Sequence, residues 1–205
     1  MIRVAASDPD WGLGFEDEVW WSRVALPALH AWSEAKEGLR LEERSVAKDD
    51  PDPTALACYG LLLRLGGAEG QTSEQVWLRF VEERPVSGQT IQYLAWCCGE
   101  LAALGKKALL LVWDNASWHK SEAVRAWIKA HNREVKRTGQ GVRLVVCRLP
   151  SKSPWLNPIE PRWTHGKRRV VEPARLLAAA ELMERVYDAY DCPHLPLLPM
   201  PQGVS

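Results

Sequence analysis

Residues 107–121 read KALLLVWDNASWHKS. From Ala108 to Trp113 the run is apolar without a break, bounded by a lysine and an aspartate, and too short for a packed helix. That pattern predicts a strand covered on both faces, because a half-exposed strand would alternate. Its carboxyl end delivers Asp114, and open α/β sheets bind ligands beyond the carboxyl ends of their strands. Two readings of Asp114 are open. Its carboxylate leaves the sheet edge and holds a cation, or Asp114-Asn115 makes a turn that caps the next helix.

The flanking segments extend this strand into a fold. Upstream, Ile91, Leu94, Ala95, Cys98, Leu101 and Ala102 share one face of a helix that ends at Gly105. Downstream, an amphipathic helix is expected from about His119 to Arg137, with Val124, Ile128, His131 and Val135 on its apolar face. Val142–Leu149 (VRLVVCRL) reads as a strand, and Pro173–Tyr190 as a last helix burying Leu176, Leu177, Ala180, Val186 and Tyr187. Nearer the start, Gly12–Trp21 (GLGFEDEVWW) suits a strand ending in carboxylates. Leu39–Ala47 alternates as a half-buried strand, Asp49–Pro53 is a turn, and Thr54–Leu65 a buried strand. Gly66–Gly70 is a loop, and Gln75–Val81 a further strand ended near Pro85. Strands first, then strand–helix–strand–helix, predict an α/β domain: a mixed sheet with helices on both faces. Residues 1–191 form one domain, and the proline-rich tail, 192–205, is irregular.

Composition narrows the function. The 205 residues are 46% hydrophobic and 25% charged, as in ordinary globular domains. No apolar run approaches membrane-spanning length, and the start has no cationic flank before an apolar stretch. The expected place is the cytoplasm, with the nucleoid. Five cysteines without a CxxC pair read as small buried residues rather than a disulfide framework or zinc site. The net charge of zero hides an asymmetry: residues 117–175 carry fourteen bases against four acids, while residues 1–53 carry twelve acids against six bases. The basic stretch fits either a polyanionic partner or a solvated helix face.

Two more segments carry chemistry. Leu149–Trp163 reads LPSKSPWLNPIEPRW. Asn157 suits a helix N-cap with Pro158 first and Glu160 third. Glu160 then either closes a capping box with the Asn157 backbone or is aimed at Asp114 by a rigid proline-rich loop. Pro161 removes a further N–H and weakens a clean helix start. The third element, Glu16-Asp17-Glu18, lies among Phe15, Val19 and Trp20, and strand alternation puts Asp17 on one face and Glu16 and Glu18 on the other.

Taken together, a strand ending in DNAxxH, the motif LPxxSPWLNPIExxW and GFEDEVWWSR followed by PALHAWSE resemble the DDE superfamily endonucleases. More narrowly, they resemble the catalytic domain of bacterial insertion-sequence transposases of the mariner-like superfamily, over about Gly12–Val171. The resemblance implies a ribonuclease H-like fold. It implies that Asp17, Asp114 and Glu160 hold two divalent ions, magnesium or manganese, for DNA strand cleavage and strand transfer. It implies double-stranded DNA partners, at transposon ends and target, and work as a homodimer or synaptic complex. Between Asp114 and Glu160 lie 45 residues, more than such proteins usually have, and His131–Gly141 could absorb the excess. The family's N-terminal helix-turn-helix region is expected to be absent here, since the catalytic strand begins almost at once; a separately encoded helix-turn-helix protein would then supply recognition.

The acid set also follows from chemistry. Cleaving a phosphodiester puts charge on the attacking and leaving oxygens, and two metal ions about 4 Å apart clamp both. Magnesium prefers carboxylate oxygen and keeps waters, so three carboxylates suffice. Lys152, Arg162, Lys167, Arg168 and Arg169 flank Glu160 and are candidate phosphate contacts. Asn115 and His119 stand behind the acids; His119 orients Asp114, touches DNA or caps a helix. Of eleven tryptophans, Trp118 and Trp155 lie beside the motifs and either stack on a splayed base or pack in the core, whereas Trp20, Trp21 and Trp113 are assigned to the core. Two other functions compete: a truncated or domesticated DNA-binding remnant without catalysis, and a ribonuclease H-like nuclease with another substrate.

Overall fold

A computed structural model describes residues 2–24, 45–66, 72–151, 153–170, 172 and 175–201. A short helix, α1 (Ile2–Ser7), leads into β1 (Trp11–Ser22), β2 (Ala55–Gly66) and β3 (Thr72–Phe80). Then come α2 (Ser87–Ala103), β4 (Ala108–Trp113), α3 (Glu122–Thr138), β5 (Arg143–Arg148), α4 (Glu160–Val170) and α5 (Ala179–Ala189). The strands form one sheet in the order β3-β2-β1-β4-β5. The first three pair antiparallel; β4 and β5 join parallel to β1. The mixed α/β sheet expected from the sequence is therefore present.

The two faces carry separate cores. Leu13, Phe15, Val19 and Trp21 of β1 lie under α1, α4 and α5 with Trp163, Leu182 and Val186. Tyr59, Leu61, Leu63, Leu109, Leu111 and Trp113 lie under α2 and α3 with Leu94, Leu101 and Val124. Each residue of β4 is buried, as an apolar run sandwiched between two helical layers must be. A buried leucine here contributes about 2 kcal/mol of transfer free energy.

Several expectations change. The buried face of α2 is Thr90, Tyr93, Leu94, Cys97, Cys98 and Leu101, while Ala95 and Ala102 are exposed. Tyr93 decides this by stacking on Tyr59 with ring centroids 4.9 Å apart. The third helix begins at Glu122, not His119, because the Ser121 hydroxyl accepts from the Val124 N–H and sets the cap there. It continues through His131 to Thr138, so part of the long Asp114–Glu160 connection is helix. The last helix begins at Ala179, six residues after Pro173. Asp52 accepts from the Ala179 N–H at 2.8 Å, and buried Arg23 holds the Leu177 carbonyl at 2.6 Å, keeping the preceding backbone out of the helix. Trp20 is 48% exposed, in contrast to Trp21 and Trp113: it lies on the face opposite Trp21, beyond the end of β4 pairing at Phe15. Ser45–Ala47 carry no strand, and the rest of the strand expected at Leu39–Ala47 lies outside the described residues, as do PALHAWSE and Lys152. Four of the cysteines are buried, and Cys147 is half-buried; all are free. The tail through Pro201 is irregular but docked, with Leu198 bonded to Phe80 and Glu82 beside Val81.

Candidate active site

Strand register places the first two acids side by side. Phe15 pairs with Val112 in the parallel β1–β4 ladder, and Asp17 and Asp114 each follow two residues later. Asp114 therefore leaves the carboxyl end of β4 next to Asp17. Alternation along β1 turns Asp17 toward the α4 face and Glu16 and Glu18 toward the opposite one.

The 157–163 segment brings in the third acid. Buried Asn157 donates through Nδ2 to the Glu16 carbonyl at 2.9 Å, which docks the loop on β1 one residue from Asp17. Ile159 is fully buried beneath it. Glu160 opens α4, where the helix dipole favours a negative charge, and Lys167, Arg168 and Arg169 close it. Pro161 occupies the first turn, whose N–H groups have no intrahelical acceptor, so it costs the helix nothing. One turn on, the Trp163 indole N–H donates to Asp17 Oδ2 at 2.8 Å. Residue 60, which pairs with Asp17 across β2, must be glycine: a Cβ there would stand 2.2 Å from the Trp163 ring.

Asp114 is held from behind. Its Oδ1 accepts from the Ala116 N–H at 2.8 Å and faces His119 Nδ1 at 2.9 Å. His119 is fully buried, stacked on Trp113 with centroids 4.3 Å apart, and its Nε2 lies 2.9 Å from Glu18 Oε1. Trp118 donates to the same Glu18 oxygen at 2.6 Å. Asn115 ties the turn to β5 through a 2.6 Å bond to the Leu149 carbonyl.

Electrostatics couple Glu160 to each aspartate, although the three carboxylates do not converge within 4.8 Å of one another. Burial and then the charge of Glu160 push the Asp17 carboxyl up to about 7, against a lowering by the Trp163 bond. Burial and then the charge of Asp114 raise Glu160, and Lys167 opposes this. The His119 bond holds Asp114 below the ordinary carboxylate range. Burial alone would lower His119, but Glu16, Asp114 and Glu18 outweigh it and push it up to about 11. A hard-oxygen donor set whose members repel one another fits divalent cations of the magnesium class.

The basic candidates divide. Lys167 and Arg168 are exposed on α4. Arg162 is paired with Glu74, and Arg169 donates to the Ala189 carbonyl at 2.7 Å. Trp155 is 75% exposed on a short turn, Pro154–Leu156, whereas Trp118 is half-buried and bonded. Trp163, Glu18 and Glu16 were given no role by the sequence. The signal for Trp163 was its place three residues after Glu160, on the same helix face.

The sheet order and the layers define a ribonuclease H-like fold. Residues 69–182 match the family model described as DDE superfamily endonuclease. That is more than half the chain, and the protein belongs to this family, whose members use divalent metal ions. The match contains Asp114 and Glu160 but not Asp17. Among solved structures, the fold is similar to the Mos1 transposase paired-end complex with left transposon end, at 13% identity and a TM-score of 0.61 over 87% of this chain and 47% of that one. The Mos1 mariner paired end complex with Mn gives 12% identity and a TM-score of 0.60 over 87% and 48%. A pre-cleavage Mos1 transpososome gives 11% and 0.61 over the same shares. The chain thus spans about half the length of these transposases. Comparison with curated proteins gives no match. Among the described residues, no helix is long and apolar enough to cross a membrane.

Proposed function

We propose that this chain is the catalytic domain of a DNA transposase in which Asp17, Asp114 and Glu160 hold two divalent ions, magnesium or manganese. The observation that carries the reading is the coupling of the acids. Asp17 lies within β1, which runs on to Ser22 rather than ending at the carboxylates, two residues past the last β1–β4 pair; Asp114 follows the end of β4, and each of the pairs Asp17–Glu160 and Glu160–Asp114 repels. Ions held there supply positive charge to the attacking and leaving oxygens of a phosphodiester.

The chain's own residues prepare that site. Trp163 fixes Oδ2 of Asp17. Ala116 and His119 fix Oδ1 of Asp114, leaving Oδ2. Asn157 holds the loop that presents Glu160. In cleavage, a water oxygen bonds to phosphorus as the bond to the 3′ oxygen breaks, leaving a 5′-phosphate and a 3′-hydroxyl. In transfer, that 3′ oxygen bonds to a target phosphorus as a target 3′ oxygen leaves, and the number of phosphodiester bonds is unchanged. Mos1 paired-end complexes share this fold, which supports transposon ends as substrate; on our reading the chain acts as a homodimer or synaptic complex, with recognition supplied by a separately encoded helix-turn-helix protein.

Nicking of supercoiled DNA with magnesium or manganese tests the reading. Asp17→Asn, Asp114→Asn and Glu160→Gln each remove a charged ligand and little volume. Each should abolish nicking while preserving the circular dichroism spectrum. Undiminished nicking in any one variant removes that residue from the site.

A further inference from the structure

On the face of β1 opposite Asp17, Glu16, Glu18 and His119 converge. Their ligand atoms lie within 4.8 Å of one another, and no other trio of His, Cys, Asp or Glu does so among the described residues. Glu16 is 1% exposed, yet neither of its oxygens accepts a hydrogen bond. Its Oε2 lies 3.3 Å from His119 Nε2, while Glu18 Oε1 lies nearer the same nitrogen, at 2.9 Å. A buried carboxylate without a hydrogen bond is costly, and natural interiors rarely leave one.

The orientation of the imidazole sharpens the problem. Nδ1 faces Asp114 Oδ1 at 2.9 Å, so its hydrogen is committed there. Nε2 then presents to two carboxylates, a position that a proton or a cation can occupy. A proton on Nε2 serves Glu18 and leaves both oxygens of Glu16 unbonded. A divalent ion serves all three groups, and its charge balances two carboxylates around a neutral imidazole.

We propose that Glu16, Glu18 and His119 form a second cation site, distinct from the three acids, that takes a divalent transition ion of the zinc type. Ligands about 2.0–2.1 Å from a tetrahedral ion stand roughly 3.3 Å apart. The 3.3 Å and 2.9 Å separations of His119 Nε2 from the two carboxylates need shifts of a few tenths of an ångström, and the two carboxylate oxygens lie within 4.8 Å of each other. The outer groups are also those of a metal centre. A carboxylate, Asp114, orients the ligating histidine through its other nitrogen, and an indole, Trp118, bonds a ligating oxygen. An imidazole in the donor set favours zinc or cobalt over magnesium, whereas the three acids offer only oxygen. The ion would pin the 115–121 turn to β1 and so hold Asp114 in place. The site stands whether or not the chain cleaves DNA, because its test contains no DNA.

The test uses the full chain carrying Asp17→Asn and Glu160→Gln, so that the three-acid site is disabled and Asp114 is retained. Equilibrium dialysis against zinc with elemental analysis should give one zinc per chain, undisplaced by millimolar magnesium. Adding Glu16→Gln should weaken zinc binding ~100-fold, at the upper end of the loss that removal of a mere outer-shell partner causes. Cobalt, bound to the chain with Glu16 intact, should give the intense visible band of four-coordinate cobalt, and zinc should erase it. This second measurement decides the matter even if Glu16→Gln unfolds. No retained zinc, undiminished zinc in a folded Glu16→Gln chain, or a weak six-coordinate cobalt spectrum would each overturn the proposal.

Discussion

Trp163 donates its indole N–H to Asp17 across a sheet position that has no side chain. The bond joins α4, which carries Glu160, to β1, which carries Asp17. It exists because Gly60 leaves room for the ring, and because Trp21 and Tyr190 hold that ring edge-on at 6.2 and 5.8 Å. Trp163→Phe keeps the packing and deletes the donor. The bond lowers the Asp17 carboxyl, so its loss moves that group further up. Nicking at pH 7 should fall about tenfold, the equivalent of roughly 1.4 kcal/mol for a hydrogen bond to a charged group. Raising the pH to 8.5 should recover part of it. An equal loss at both pH values would show that the ring, not its N–H, is what matters.

Gly60→Ala separates packing from chemistry. The new methyl would meet the Trp163 ring at 2.2 Å and Ile159 Cδ1 at 3.2 Å. Overpacking of this kind costs about 1–3 kcal/mol. Urea unfolding should show the loss of stability, and nicking should fall with it as Trp163 is displaced. Wild-type stability in this variant would mean that the indole lies elsewhere.

Much of this was legible in the sequence, and the reasons differ by element. The apolar run Ala108–Trp113 identified a strand buried on both faces, since nothing but burial tolerates six such residues together. Alternation correctly separated Asp17 from Glu16 and Glu18. What alternation could not say is that the Glu16–Glu18 face is closed by His119, because acids read as exposed until their partner is placed. His119 itself was assigned to a helix by periodicity. The Ser121 cap starts the helix later and frees the histidine to lie under Trp113. The Gly60–Trp163 fit joins residues far apart in the chain and leaves no local signature. The start of α5 was missed for the same reason: Arg23 and Asp52 set it from the other end of the chain.

The pH dependence of the metal-free fold has a defined sign. Asp17 rises from 3.8 to about 7 on folding. Between those values the folded chain keeps a proton that the unfolded chain has released. The contribution of Asp17 to stability is therefore present below about 4 and is lost as the pH rises through 7. Denaturation without metal should show this decline, and Asp17→Asn should flatten it. Magnesium binds the charged form, so it should restore stability above pH 7 and do little at pH 5. A metal-free profile that improves from pH 4 to 7 and is unchanged in Asp17→Asn would contradict the burial of Asp17.

DNA affinity should come from phosphates. Lys167 and Arg168 are exposed near the end of α4, and Lys167 is close enough to Glu160 to lower its carboxyl. Arg162 and Arg169 are engaged with Glu74 and the Ala189 carbonyl, so neutralising them would disturb the fold as well as the surface. The informative variant is thus Lys167→Gln with Arg168→Gln. Each phosphate contact releases counterions and steepens the fall of log affinity with log salt by about 0.9 on duplex DNA. Removing both charges should flatten that slope by ~1.8. Because phosphate contacts position a protein without reading its sequence, the loss should be the same on unrelated duplexes. Titrations of wild type and variant at several salt concentrations, on two duplexes of different sequence, give both readouts. An unchanged slope would move the DNA path away from α4. A loss confined to one duplex would mean that Lys167 or Arg168 touches base edges, and that this helix takes part in recognition as well as in holding the backbone against Glu160.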